Sequence, residues 1–416
     1  MSSLLEKQLR ETLADQPAPG ELAAGRRSWP VIEAALAERA PVTRRTRRPA
    51  LRLALVAALL AIGLAAALSP AGAEVGKWIE ERVGLEADDS EATLAGFPRG
   101  GRLLAVSSSG AWVVDAGGAL SRLGDYREAG WSPRGLYVIG TRGRRLTAME
   151  PSRDPRWSLL RPGRVHNPAW SPGDGYRVAY LESTGRRTSL RVVDGSGRLD
   201  HVVAAAAARV TPAWRPRGEG YVLTYAREPA RARGIGAGAA AAPDGAGPGI
   251  ATVDADTGAR LWSARTGSVP LKLAWTRDGR RLAVLAPSAL RIYARDGRLL
   301  TELRLDRGDR PAALALHPSG RRAALALTRR GESRVVDVRL GRDPAIRRHL
   351  FSGPGTFSEL AWSPDGRHLL VAWPEANQWL LIGGRRPHAF AGVSRELDPG
   401  QTGAGFPRIA GWCCPR

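Results

Sequence analysis

The chain has few of the residues that most often carry chemistry. Its 416 residues include two cysteines, two methionines and six histidines. Both cysteines stand at the extreme end, as Cys413-Cys414, so the body of the chain holds no disulfide framework, thiolate nucleophile or cysteine zinc site. The histidines, His166, His201, His317, His349, His368 and His388, are dispersed. No His-Glu-x-x-His, Gly-x-Ser-x-Gly or Gly-x-x-x-x-Gly-Lys occurs, which removes the zincin helix, the hydrolase nucleophile elbow and the P-loop. The expectation is therefore no catalytic residue, no cofactor and no metal.

Lysine is also nearly absent, found only at 7, 77 and 272, so the net charge of +22 is almost all arginine. In a soluble intracellular chain that excess would suggest nucleic acid. Here the arginines are scattered, as Arg144-Arg145, Arg186-Arg187, Arg280-Arg281, Arg321-Arg322 and Arg347-Arg348, many of them at turns. They read as solvated loop charge, with binding of anionic headgroups or envelope polyanions as the alternative and nucleic acid not expected.

Long apolar runs are missing except for one. Leu51 to Leu68 is almost wholly apolar, and continued through Ser69-Pro70-Ala71-Gly72-Ala73 it reaches bilayer length. Arg44, Arg45, Arg47, Arg48 and Arg52 flank or enter its start, while Glu74, Glu80, Glu81, Glu86, Asp88, Asp89 and Glu91 follow it. The asymmetry predicts a transmembrane helix over 51–73, with the N-terminus cytoplasmic and the rest outside the plasma membrane. Ala71-Gly72-Ala73 also fits a signal-peptide cut, but a leader of some 50 residues is long for one. Residues 74–93 begin with an amphipathic connector, Val75, Trp78, Ile79 and Val83 sharing one helical face. Within the cytoplasmic segment 1–50, Leu5, Leu9 and Leu13 form one stripe and Trp29, Ile32 and Leu36 another, a helix pair too small to enclose a core. A cytoplasmic partner of residues 1–40 is one way to cover those stripes.

What fills the remainder is a repeat. An anchor, a tight turn and an apolar strand recur at Phe97, Trp131, Trp170, Trp214, Trp275, Leu316 and Trp362. The clearest copy reads Ala361-Trp362-Ser363-Pro364-Asp365-Gly366-Arg367-His368-Leu369-Leu370-Val371. Degraded turns appear as Ser132-Pro133-Arg134-Gly135, Thr276-Arg277-Asp278-Gly279 and His317-Pro318-Ser319-Gly320. A further strand follows each anchor, such as Trp112-Val113-Val114 or Gln378-Trp379-Leu380-Leu381-Ile382, several closing on Asp-Gly turns. Anchors lie 34 to 61 residues apart, the long interval holding a Gly/Ala-rich insertion at 231–249. Such a period of short strands predicts an all-β, seven-bladed propeller of four-stranded antiparallel blades over 94–416. The anchor tryptophans, recurring at one place in each unit, read as packing between blades.

The Ala-Trp-Ser-Pro-Asp-Gly-Arg cassette with its Leu-Leu-Val strand resembles the repeats of TolB-type and WD-like bacterial β-propellers over roughly residues 94 to 382. The stretch Val253-Asp254-Ala255-Asp256-Thr257-Gly258 to Trp262 also resembles one quinoprotein-type repeat, a single copy that implies no quinone enzyme. The order of short helices, one span and an outer domain is similar in layout to transmembrane anti-sigma factors, without the His-x3-Cys-x2-Cys signature of their zinc-containing kind.

At the chain end, Cys413 and Cys414 can close a vicinal disulfide, bind a soft metal or pair with another chain; no third ligand stands nearby. Phe406 to Cys414 reads as a final strand that closes the ring, while 388–416 as a whole either completes the seventh blade or adds a strand to the first. The functional expectation is a membrane-anchored, non-catalytic binding, scaffold or sensor module for an envelope protein, peptide or glycan. Two alternatives stay open: an anti-sigma-like regulator acting through the N-terminal helices, and an envelope hydrolase or lyase whose groups gather at the propeller axis.

Overall fold

The computed structural model describes residues 94–173, 176–216, 218, 220–228, 247–341, 344–384, 386–400 and 405–414. The expected N-terminal helices, the span at 51–73 and the connector at 74–93 lie outside the described residues, as does the insertion up to residue 246. Among the described residues no helix is long and apolar enough to cross a membrane.

The local logic is set by the turn after each anchor. Ser132, Ser171, Thr276 and Ser363 are almost fully buried, and each accepts on its hydroxyl the N–H of a residue five or six positions on, namely Tyr137, Arg177, Arg281 and His368. The turn is completed by glycine in the left-handed region at Gly135, Gly279, Gly320 and Gly366. In the full Ser-Pro-Asp-Gly copy, Asp365 accepts from the Ser363 hydroxyl and the Arg367 N–H, which together hold its carboxyl below the ordinary range. The chain therefore reverses at a fixed place, and the anchor enters the next strand pair in one register.

Among the described residues, seven four-stranded antiparallel sheets result. Six of them run in chain order from the innermost strand outward; those innermost strands are Glu128–Trp131, Arg164–Trp170, Ala213–Trp214, Lys272–Trp275, Arg310–Leu316 and Glu359–Trp362. Blade 1 is the exception. Its innermost strand is Arg408–Cys413, brought from the chain end to pair with Arg102–Ser107. His388–Ala391 has by then completed blade 7, so the segment after residue 388 serves both blades.

This arrangement moves one anchor. In blades 2 to 7 the anchor pairs with the second strand, as Trp131 with Val138 and Trp362 with Leu369. In blade 1 that register position belongs to Trp412, opposite Leu103. Phe97, expected to be the first anchor, lies before the strand, because the place of an innermost strand is taken by the chain end. It packs instead against Trp412 and Phe390, ring centroids 5.1 and 5.7 Å away. The Gly/Ala-rich insertion also ends earlier than expected. Gly249 opens a strand and pairs with Arg227 and Arg265, passing so close to the Ala264 carbonyl that a Cβ would stand 2.4 Å from it.

The second and third strands of each blade are apolar on both faces because both faces are covered. Seven buried clusters result, one at each blade junction. Strand alternation sorts the side chains: Leu369, Val371 and Trp373 pack toward blade 6, while Leu370 and Ala372 pack toward blade 1. Trp379, fully buried in the blade 7 to blade 1 seam, is among the largest side chains there. Trp379→Ala should lower unfolding free energy by about 3–5 kcal/mol, read as a shift in denaturant midpoint. A shift as small as that of an exposed substitution such as Leu199→Ala would contradict this packing.

Candidate binding site on the axial channel

The innermost strands of blades 1, 2, 3, 5 and 7, with Thr211 just before that of blade 4, line a cavity of about 530 Å³. Its walls carry Glu128, Asn167, Thr211, Lys272, Glu359 and Arg408, with Trp131, Trp170 and Trp412 farther along. Register explains why these side chains gather. Glu128, His166, Lys272, Ala313, Glu359 and Arg408 lie opposite Thr141, Leu181, Leu285, Ala326, Ala372 and Val106, each the third residue after the one that pairs with an anchor. Four residues of this register level, Glu128, Lys272, Glu359 and Arg408, line the cavity, and the level varies in character from blade to blade while the packing positions around it repeat.

The two carboxylates act between blades. Glu359 of blade 7 accepts the Ile409 N–H of blade 1, and Glu128 of blade 2 accepts the Asn167 N–H of blade 3. Both amides belong to strands whose register shifts at that point, between Leu104 and Ala105 opposite the closing strand and between His166 and Ala169 in blade 3. A bulge takes an N–H out of the ladder, and the neighbouring carboxylate satisfies it. Burial pushes Glu128 and Glu359 above the ordinary carboxyl value, against the pull of these hydrogen bonds, of Arg408 on both, of Arg164 on Glu128 and of Lys272 on Glu359. His166 bonds Ser183 Oγ at 2.9 Å and is pushed down by burial, then by Arg209 and Arg164.

The anchors frame this site. Trp214 and Trp362 donate from the indole to the Ala169 and Ala315 carbonyls of the preceding blade, at 2.9 and 3.2 Å, and Trp275 donates to Thr224 Oγ1. Trp131 is covered by the Arg102 guanidinium at 4.8 Å. Leu316 replaces tryptophan in blade 6; the next residue, His317, sits edge-on to Trp362 at 4.8 Å and hydrogen-bonds to the Gly366 carbonyl oxygen. Cys413 and Cys414 are joined through their sulfurs at the opposite end of the closing strand from Arg408, close to Gly135.

A second concentration of charge lies away from the axis. Asp200 bonds Arg161, Arg191 and Tyr180 at 2.7 to 2.8 Å, and Glu182 meets Arg161 at 3.2 Å and the Gly163 N–H at 2.8 Å. Burial, then Asp200, pushes the Tyr180 hydroxyl up. These acids and bases face one another, so the network ties strands together. Asp398 likewise holds the fold together. It accepts from Ser107 Oγ and from the Ser108 and Ser109 N–H groups, fastening the segment after Val393–Leu397 to blade 1. Burial would raise its pKa, but these bonds outweigh it and hold it below the ordinary value.

Sequence reasoning missed Glu128, Lys272, Glu359 and Arg408. The signal was available for three of them, each standing three positions before its anchor. Arg408 is displaced by the bulge.

Substitutions at Glu359 separate its hydrogen bond from its charge. Glu359→Ala leaves the Ile409 N–H without its acceptor and should cost about 1–3 kcal/mol. Glu359→Gln retains an acceptor oxygen. Because the folded pKa is raised, the folded state binds the proton more tightly, so this group's contribution to stability falls as pH rises from 4.5 to the raised value. The Gln variant should lose that slope in melts recorded between pH 4 and 8 and equal or exceed the parent near neutrality. Equal losses for both variants would contradict the clamp.

No protein-family model and no curated protein matches the chain. Among solved structures, the β-propeller domain of Myceliophteria thermophila Cps50 (Swd1) superposes with a TM-score of 0.53 at 13% identity, covering 69% of this chain and 94% of that one. A crystal structure of the mitotic checkpoint complex aligns at 13% identity with a TM-score of 0.46, over 69% of this chain and 91% of the matched chain. The first likeness agrees with the fold described above, a propeller of four-stranded blades.

Proposed function

We propose that this protein is a TolB-like propeller, anchored in the plasma membrane through residues 51–73 and displayed outside it, that binds an envelope protein, peptide or glycan without chemical turnover. The observation that carries the binding role is the channel tier. Six of the blades place Arg408, Glu128, His166, Lys272, Ala313 and Glu359 at one register level, whereas the seams beneath repeat the same apolar logic. A fold that holds its frame constant while varying one tier offers a specific surface on a rigid support. The membrane part rests on the arginines before the apolar run and the acids after it. On this topology residues 1–40 remain in the cytoplasm, where their apolar stripes need a partner, and an anti-sigma-like regulator would use that segment.

A second reading, an envelope hydrolase or lyase, is favoured by Glu128 and Glu359, two carboxyls raised by burial at the cavity wall. Against it stands their engagement with backbone N–H groups of the next blade.

Topology is tested by adding protease to intact spheroplasts that carry the full chain with an N-terminal tag. The propeller should be degraded and the tagged N-terminal fragment retained; a fully protected chain contradicts the proposed anchor. Binding is tested by crosslinking in the same membranes, where an envelope component should be captured by the parent chain and lost on Lys272→Glu. Capture unchanged by that substitution would contradict a role for the channel.

A further inference from the structure

The end of the channel at which the innermost strands begin carries a charge pattern that the blade frame does not require. Six of the seven innermost strands open on a charged residue: Arg408, Glu128, Arg164, Lys272, Arg310 and Glu359. The remaining blade opens on Ala213, with Arg209 four residues earlier. Register divides the charges into two levels. Arg408, Glu128, Lys272 and Glu359 occupy the tier described above, while Arg164 and Arg310 stand opposite Ser183 and Thr328, two residues farther out in their blades.

The cations are exposed and the carboxylates are partly withdrawn. Glu128 and Glu359 spend hydrogen-bonding capacity on Asn167 and Ile409. Arg408 donates to the Arg127 carbonyl. Among the described residues, by contrast, Arg164, Arg209, Lys272 and Arg310 meet no acidic side chain within ion-pair distance. Exposed like charges converging on a concave, low-dielectric rim focus a positive potential there. Lys272 and Arg408 line the cavity of about 530 Å³, which falls in the range of small-molecule sites, and Arg164 acts electrostatically on Glu128 at its wall.

We infer that this mouth is a binding site for a small multivalent anion, a ligand or glycan terminus bearing two or more phosphate or carboxylate groups. Arg164, Lys272, Arg310 and Arg408 would meet its charged oxygens, and Asn167 and Thr211, joined by a 2.8 Å hydrogen bond, offer neutral polar contacts at the wall. Guanidinium suits phosphate and carboxylate equally through paired N–H donors, so the shared chemistry defines the class. This inference rests on the binding-module reading above and names the ligand that the module would take.

The test uses the full chain in detergent at low ionic strength, titrated calorimetrically with tripolyphosphate, with citrate and with maltose. Tripolyphosphate or citrate should bind and weaken as salt is added, the stronger of the two identifying phosphate or carboxylate as the source, while maltose stays silent. Arg164→Ala/Lys272→Ala/Arg310→Ala should weaken the anion roughly tenfold or more, and Glu128→Gln/Glu359→Gln should tighten it. A control variant at an arginine cluster elsewhere, Arg142→Ala/Arg144→Ala/Arg145→Ala, should change affinity by less than about twofold. Circular dichroism melts check that each variant is folded. Absence of heat with both anions, or equal weakening by the mouth and control variants, overturns the inference. Should neither anion bind while the parent chain still captures its envelope partner and Lys272→Glu still loses it, the inference fails and the binding-module reading stands.

Discussion

Every other feature of the molecule depends on the pairing of Arg408–Cys413 with Arg102–Ser107. A single blade is a small twisted sheet with two apolar faces and cannot stand alone in water, so each blade is stable only between two others. Six seams can form between neighbours in sequence; the seventh requires the chain end to return. Strand pairing supplies the backbone hydrogen bonds of that return, Trp412 takes the anchor position against Phe97, and Asp398 ties the preceding segment to the Ser107 to Ser109 turn. Glu359 adds a hydrogen bond from blade 7 to the incoming strand. Long-range closure carries a loop-entropy cost, and several modest contacts acting together offset it better than one strong one.

Closure also shapes the site. Arg408 reaches the channel tier because the closing strand is bulged, and it stands between the blades that contribute Glu128 and Glu359. Were the strand regular, Ile409 would occupy that level and the mouth would lose a cation. The same irregularity frees the amide that Glu359 accepts. Ring integrity and channel electrostatics are in this way two consequences of one local departure from ladder geometry.

Much of the fold was legible because the repeated turn has a chemistry of its own. A hydroxyl that captures an amide, a proline and a left-handed glycine give the same reversal wherever they recur, and the strands between them are apolar on both faces. The misplacement of Phe97 arose where this chemistry is interrupted: the first copy lacks its innermost strand, and its missing part lies at the other end of the chain. Ala410-Gly411-Trp412 repeats Ala129-Gly130-Trp131, and that match is the sequence trace of the permutation. The site was harder to read. Glu128, Lys272 and Glu359 look like ordinary solvated charges at the start of strands, and only the superposition of blades about an axis turns separate positions into one tier. The bulge that moves Arg408 has no sequence signature here.

Native-state hydrogen exchange of the full chain tests the closing strand most directly. Amide protection in 408–413, Ile409 included, should match that of the innermost strands in blades 2 to 7, because closure makes all seven part of one cooperative ring. Exchange in 408–413 at the rate of an unpaired chain end, with the other innermost strands still protected, would contradict the account.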